Sequence, residues 1–196
     1  ERFGKLPFDD LFGPAIRHAR DGWIVPPIVS GSWAAAASGA LGDSEDFRAA
    51  FMPNGRTPEP GEVFKFEAQA RTLERIAETK GEAYYRGDLA EKIAAHAKNT
   101  GGAMTVDDLA AHQADWVELI QADYRGYTLH EIPPNGQGIA ALLMLGMLEN
   151  LDIPSHPVDS ADSIHLQVEA MKLAFADGHR YVSDPATRDI EYERLL

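Results

Sequence analysis

The sequence contains no cysteine. That absence removes disulfide cross-links, thiolate zinc sites and a cysteine nucleophile together. Long hydrophobic runs are missing too. The longest, Ile139 to Leu148, falls well short of the ~20 residues a bilayer-spanning helix needs. Basic residues are scarce: 18 Lys and Arg stand against 31 Asp and Glu, a net charge of −13. So acidic a surface repels nucleic acid and anionic lipid, and neither is an expected partner. Catalytic signatures are absent as well. There is no G-x-S-x-G elbow, no Walker A loop, no dinucleotide fingerprint and no H-E-x-x-H pair. Ser30-Gly31-Ser32 and Ser38-Gly39 lack a nearby basic partner. No residue here forms a self-sufficient catalytic set.

What is present is a foldable chain. Hydrophobic residues make up 44% of the 196, enough for a sizeable core. The sequence opens at Glu1-Arg2-Phe3 without an initiator Met, so the lack of a leader carries no weight. Cysteine usage does not decide a compartment.

The stretch from Tyr124 to Leu151 is the most informative. It reads as strand, Pro-Pro/Gly turn, then a helix apolar on nearly every side, which calls for burial all round. Before it, Val117, Leu119 and Gln121 alternate with Glu118, Ile120 and Ala122. After Arg125-Gly126 a second run does the same through Ile132, so an antiparallel hairpin is expected. The helix opens on Asn135-Gly136-Gln137-Gly138. Two glycines let backbone approach a ligand, and the side-chain amides can read a polar group. These four residues are the candidate substrate-binding set. The plainer alternative is a turn whose glycines only satisfy dihedrals.

The first half reads as mainly helical. Leu11, Phe12, Ala15, Ile16 and Ala19 form a stripe ended by Gly22. Pro26-Pro27 predicts an extended turn, followed by a small-residue helix over 33–41. Asp43 or Ser44 caps a short helix through Phe51. Glu67 to Lys80 is an amphipathic helix with Leu73, Ile76 and Ala77 inward and Gly81 at its C′ position. Thr105 to Asp108 resembles a capping box. A long helix is predicted from Ser160 to Val182, stopped by Asp184-Pro185. The whole is expected to be one piece of a larger subunit, residues 1–115 mainly helical and 116–196 a hairpin with core helices.

On the long helix, Asp162, His165, Glu169 and Lys172 share a face, and His165 with Glu169 has the spacing of a metal pair. A salt-bridged polar face is the favoured reading, so no metal and no cofactor are expected. Asp177, His179, Arg180 and Asp184 form a second charged group. His18, His96, His112 and His156 read as isolated, solvated residues.

Several segments, in order, resemble the γ-glutamyltranspeptidase family of glutathione hydrolases and related acylases. They are Leu11 to Ile16 with Ala19 to Gly22; Phe51 to Gly55; Pro60 to Phe64; and Ala83 to Gly87. Gly101-Gly102, Thr105 to Leu109, Asp123 to Tyr127, Ile132 to Gly138 and His165 to Asp177 follow, closed by Tyr181 and Asp184-Pro185. The Asn-Gly-Gln-Gly turn looks more like the acylase-like branch. The resemblance implies an α/β, layered fold: part of the αββα sandwich of an N-terminal-nucleophile hydrolase. It implies a precursor that cuts itself into a large and a small subunit. A Thr freed at the small subunit's N-terminus would attack a γ-glutamyl amide, or another acyl amide such as a β-lactam side chain. That Thr, and the arginine that grips the substrate carboxylate, would lie outside this chain. No catalytic residue carries over onto it. The isolated chain is therefore expected to be inactive, to pair with the small subunit of its own precursor, and otherwise to self-associate. A non-catalytic acidic binding or scaffold protein remains the alternative of a different class.

Overall fold

The computed structural model describes residues 3–187 and 194–196. They fall into two compact units, residues 1–113 and 114–196.

In the first unit a 3-10 turn leads into α1 (Gly13–Asp21), which Gly22 ends at φ 97°. Strand β1 (Trp23–Ile24) follows, then α2 (Pro27–Ser38). The helix thus begins six residues earlier than the sequence pattern predicts. Only Pro26 is extended, as a residue preceding proline should be, at φ −79° and ψ 159°. Pro27 instead opens the helix, where its fixed φ fits and its missing N–H costs nothing. The short helix α3 (Glu45–Phe51) is capped by Ser44, whose hydroxyl accepts from the Phe47 N–H at 3.3 Å.

Strand β2 (Val63–Phe64) pairs antiparallel with β1, Trp23 opposite Phe64 and Ile24 opposite Val63. This small sheet is not foreseen by the mainly helical reading. It gathers the aromatic core of the unit. Phe64 stands edge-on to Trp33 at 4.8 Å and to Trp23 at 6.4 Å, and Phe51 meets Trp33 at 5.3 Å. Each such pair adds about 0.5–1.5 kcal/mol beyond area burial.

Helix α4 (Glu67–Glu78) packs along α1. Its inward face is set by Ala70 and Ala77, both buried, with Leu73 and Ile76 half-buried. The helix ends in a Schellman arrangement: Gly81 N–H donates to Ile76 O at 2.9 Å and Lys80 N–H to Ala77 O at 3.3 Å. The C′ residue is therefore Lys80, at φ 53°, and not Gly81, which follows it at φ 91°. Helices α5 (Glu82–Arg86), α6 (Asp88–Asn99) and α7 (Val106–Ala111) complete the unit. The expected capping box is present. Asp108 N–H donates to Thr105 Oγ1 at 3.2 Å, and Thr105 N–H to Asp108 Oδ2 at 2.8 Å.

The second unit opens with the hairpin of β3 (Ile120–Tyr124) and β4 (Tyr127–Glu131), in register from Ile120–Glu131 to Tyr124–Tyr127. Arg125 and Gly126 sit at φ 50° and 84°, the left-handed pair that a two-residue hairpin turn requires. Helix α8 (Gly138–Glu149) packs on the hairpin, chiefly on β3, and α9 (Ala161–Tyr181) packs on α8. Ser160 caps α9 by accepting from the Ser163 N–H at 3.2 Å. Ile139 and Leu143 of α8 meet Ala174 of α9 in one core cluster, joined by Ile120 of β3. Leu142 and Leu148 are also buried, but the remaining face of α8 is only half-buried, so burial on all sides is not what is seen. Among the described residues, no helix is long and apolar enough to cross a membrane.

Candidate functional site

The candidate site begins where β4 ends. Ile132 and the two prolines carry the chain out of the hairpin; Pro134 is buried and the Pro134–Asn135 peptide is cis. Asn135, Gly136 and Gln137 are exposed, and α8 starts at Gly138. Gln137 occupies the N-cap position without a side-chain capping bond, and its carbonyl accepts from the Ala140 N–H at 2.9 Å.

Asn135 and Gln137 line a hollow of about 280 Å³ beside the start of α8. Its other walls are Ile139 and Ala140 of α8, and Phe175, Gly178, His179 and Val182 from the end of α9. Gly136 faces open space. Gly138 has a different task. A Cβ there would lie 2.8 Å from Cδ and 3.0 Å from Cβ of Glu131, so the glycine admits the Glu131 side chain against the helix start.

The neutral amides of Asn135 and Gln137 suit a neutral polar group, which they can meet as donor and acceptor.

The polar face of α9 is held within itself. Lys172 Nζ donates to Glu169 Oε1 at 2.7 Å, and this bond holds the Glu169 carboxyl below its usual range. Among the described residues no three His, Asp or Glu side chains gather as a metal would need. The second charged group disperses. His179 turns to the hollow, Arg180 lies 5.5 Å from the Tyr181 ring centre, and Asp184 accepts from the Ala186 N–H at 2.9 Å. Three histidines read as isolated have partners instead, two of them because segments distant in sequence converge and His156 through a residue six positions on. His96 lies 3.2 Å from Asp46, His156 lies 3.9 Å from Asp162, and His112 stacks on Tyr85 at 5.3 Å.

In the first unit Arg56 grips Glu62 with both terminal nitrogens, at 3.0 and 2.6 Å, and the Glu59 N–H adds a third bond at 2.9 Å. Hydrogen bonding from Arg56, then from the Glu59 backbone, pulls the Glu62 carboxyl down to about 2. The pair closes the Pro-rich loop between α3 and β2.

Phe175, His179 and Val182 are wall residues the sequence pattern did not single out. They lie about forty positions beyond the turn, and only the packing of α9 on α8 brings them to it.

The family model described as Gamma-glutamyltranspeptidase matches residues 1–196. The chain is 38% identical to the glutathione hydrolase-like YwrD proenzyme of Bacillus subtilis, covering 100% of this chain and 37% of that protein. It is 34% identical to the acylase ACY 1 proenzyme of a Pseudomonas species, covering 100% of this chain and 35% of that one. The structure superposes on the cephalosporin acylase of Bacillus halodurans with a TM-score of 0.89 and 42% identity, over 99% of this chain and 37% of that chain. The γ-glutamyltranspeptidase of Helicobacter pylori gives the same TM-score at 26% identity, over 99% of this chain and 56% of that chain. The chain thus spans about a third of the length of the curated relatives it matches. Its layered helices and hairpin are those of the transpeptidase and acylase structures. On this whole-length match, the chain belongs to the gamma-glutamyltranspeptidase family.

Proposed function

We propose that the chain is part of the large subunit of an enzyme that cleaves or transfers acyl groups from amides, with γ-glutamyl amides of the glutathione type as substrate. The attacking Thr belongs to the small subunit of the same precursor, outside these residues. The observation that carries this reading is the unbroken family match over residues 1–196, joined to the absence of any catalytic set within them. In the parent, the 135–138 turn borders the substrate through Asn135 and Gln137, which offer neutral amides and no charge. The reaction needs no cofactor, since an amine-activated Thr supplies both nucleophile and base.

A second reading is an acylase acting on another amide, such as a cephalosporin side chain. The 42% identity to the Bacillus halodurans cephalosporin acylase favours it. Parallel assays of the full parent on a γ-glutamyl anilide and on a cephalosporin acyl amide separate the two. Cleavage of neither overturns the enzyme reading and leaves an acidic binding protein. Cleavage by the purified 196-residue chain alone overturns the placement of the nucleophile. That chain alone is expected to self-associate through exposed apolar residues such as Trp116, Tyr127 and Ile132. Light scattering showing a compact monomer at high concentration would count against this.

A further inference from the structure

An asparagine can modify itself when its side-chain carbon is reached by the next residue's backbone nitrogen. Closure of that five-membered ring is easiest before glycine, where no Cβ obstructs it, and where the N–H is not held by an acceptor. The sequence offers two such pairs, Asn54-Gly55 and Asn135-Gly136, each preceded by proline. All four residues are exposed. Neither local sequence nor access to water therefore separates the pairs, but the structure does.

Gly55 N–H donates to Met52 O at 2.9 Å, with Gly55 at φ 74°. The loop that follows is clamped by Arg56 on Glu62, at 3.0 and 2.6 Å. That turn must open before the Gly55 nitrogen can attack, so the rate falls with the open fraction. Gly136 N–H closes no hydrogen bond of comparable geometry. A Cβ built on Gly136 would meet nothing within 4 Å, so the ring has room to form. The Asn135 side chain stands on the wall of the hollow beside α8.

We infer that Asn135 is a self-modification site, converted through a cyclic imide to aspartate and isoaspartate. The Gly136 nitrogen gives its proton to solvent base and bonds to Asn135 Cγ. The Cγ–Nδ2 bond breaks, and ammonia leaves. Water then adds to either ring carbonyl and opens the imide. Opening one way restores the ordinary backbone as aspartate; opening the other routes it through the side-chain carbon as isoaspartate. Water is the co-reactant, and nothing is oxidised or reduced. The product places a carboxylate where a neutral amide stood, removing the donor that Asn135 offers the hollow. The chemistry does not rest on the proposed activity.

The full parent is aged in mildly alkaline buffer and followed by peptide mass spectrometry, with fragmentation that tells isoaspartate from aspartate. Conversion at Asn135 should outrun that at Asn54 by at least about tenfold. Both products should appear at Asn135. Gly136→Ala, which meets no neighbouring atom, should slow Asn135 by at least about tenfold and leave Asn54 unchanged. In strong denaturant the two pairs should convert at similar rates, because the Gly55 turn is gone. Asn54 keeping pace with Asn135 in the native parent overturns the proposal, as does an Asn135 that stays intact. Aspartate without isoaspartate overturns the imide route. A tenfold difference that persists in denaturant overturns the structural cause. Cleavage of amides plays no part in the readout, so a parent without that activity leaves the assignment standing.

Discussion

Gly138→Ala tests whether the close approach of Glu131 governs the start of α8. An Ala there needs no unusual backbone, and on helix propensity alone it would stabilise by up to about 1 kcal/mol. The structure opposes that gain. The new methyl would stand 2.8 Å from Glu131 Cδ and 3.0 Å from Glu131 Cβ. A flexible carboxylate end can swing aside. The Glu131 Cβ cannot, because it is fixed to β4, whose register places Glu131 opposite Ile120. Overpacking of this kind costs typically 1–3 kcal/mol. A net loss of about 1–2 kcal/mol follows, since one term partly offsets the other. With a urea m-value of roughly 1 kcal/mol/M for a small unit, the midpoint falls by about 1–2 M. The companion variant is Glu131→Gly. It removes Cβ with the rest of the side chain, so the Gly138→Ala loss should largely disappear in its background, with a coupling of about 1 kcal/mol. Equilibrium unfolding followed by circular dichroism supplies all four corners of the cycle. A Gly138→Ala midpoint at or above the parent value, with no coupling to Glu131, would refute the reasoning.

Ile139→Ala removes a fully buried side chain from the contact of α8 with α9 and should cost about 2–5 kcal/mol, read as a lowered urea midpoint. Thr105→Ala removes the hydroxyl half of the capping box on α7, leaving the Thr105 N–H to Asp108 bond, and should cost about 1 kcal/mol, with faster amide exchange at Asp108. Glu62, held at about 2 against an ordinary 4.5, contributes stability above its unfolded value and loses it as pH falls through the folded one. Side-chain NMR should find its midpoint near 2 in the native chain, and Arg56→Ala should move it back toward the ordinary range.

Local chemistry made much of the fold legible. Ser44, Thr105 and Ser160 announce their helices because a cap needs only the next three residues. Arg125-Gly126 between alternating runs fixes a hairpin for the same reason. The pairing of Trp23 with Phe64 was not legible: two residues show no period, and the partners stand forty positions apart. Pro26-Pro27 misled because one dipeptide holds both an extended residue and a helix opener. At the candidate site, Asn135 and Gln137 stood out through the prolines and glycines around them. The opposite wall did not, because Phe175 and His179 are ordinary members of a helix until α9 is laid against α8.

The end of α4 carries a consequence for how the sequence can drift. Lys80 holds a left-handed backbone at φ 53°, where a side chain costs about 1–2 kcal/mol, while the residue made for that conformation sits one place later. Position 80 therefore has unused mutational headroom: Lys80→Gly should raise the unfolding midpoint, and a destabilising change elsewhere in the first unit becomes tolerable in its company. An ordinary surface lysine thus marks where this unit can most readily absorb change.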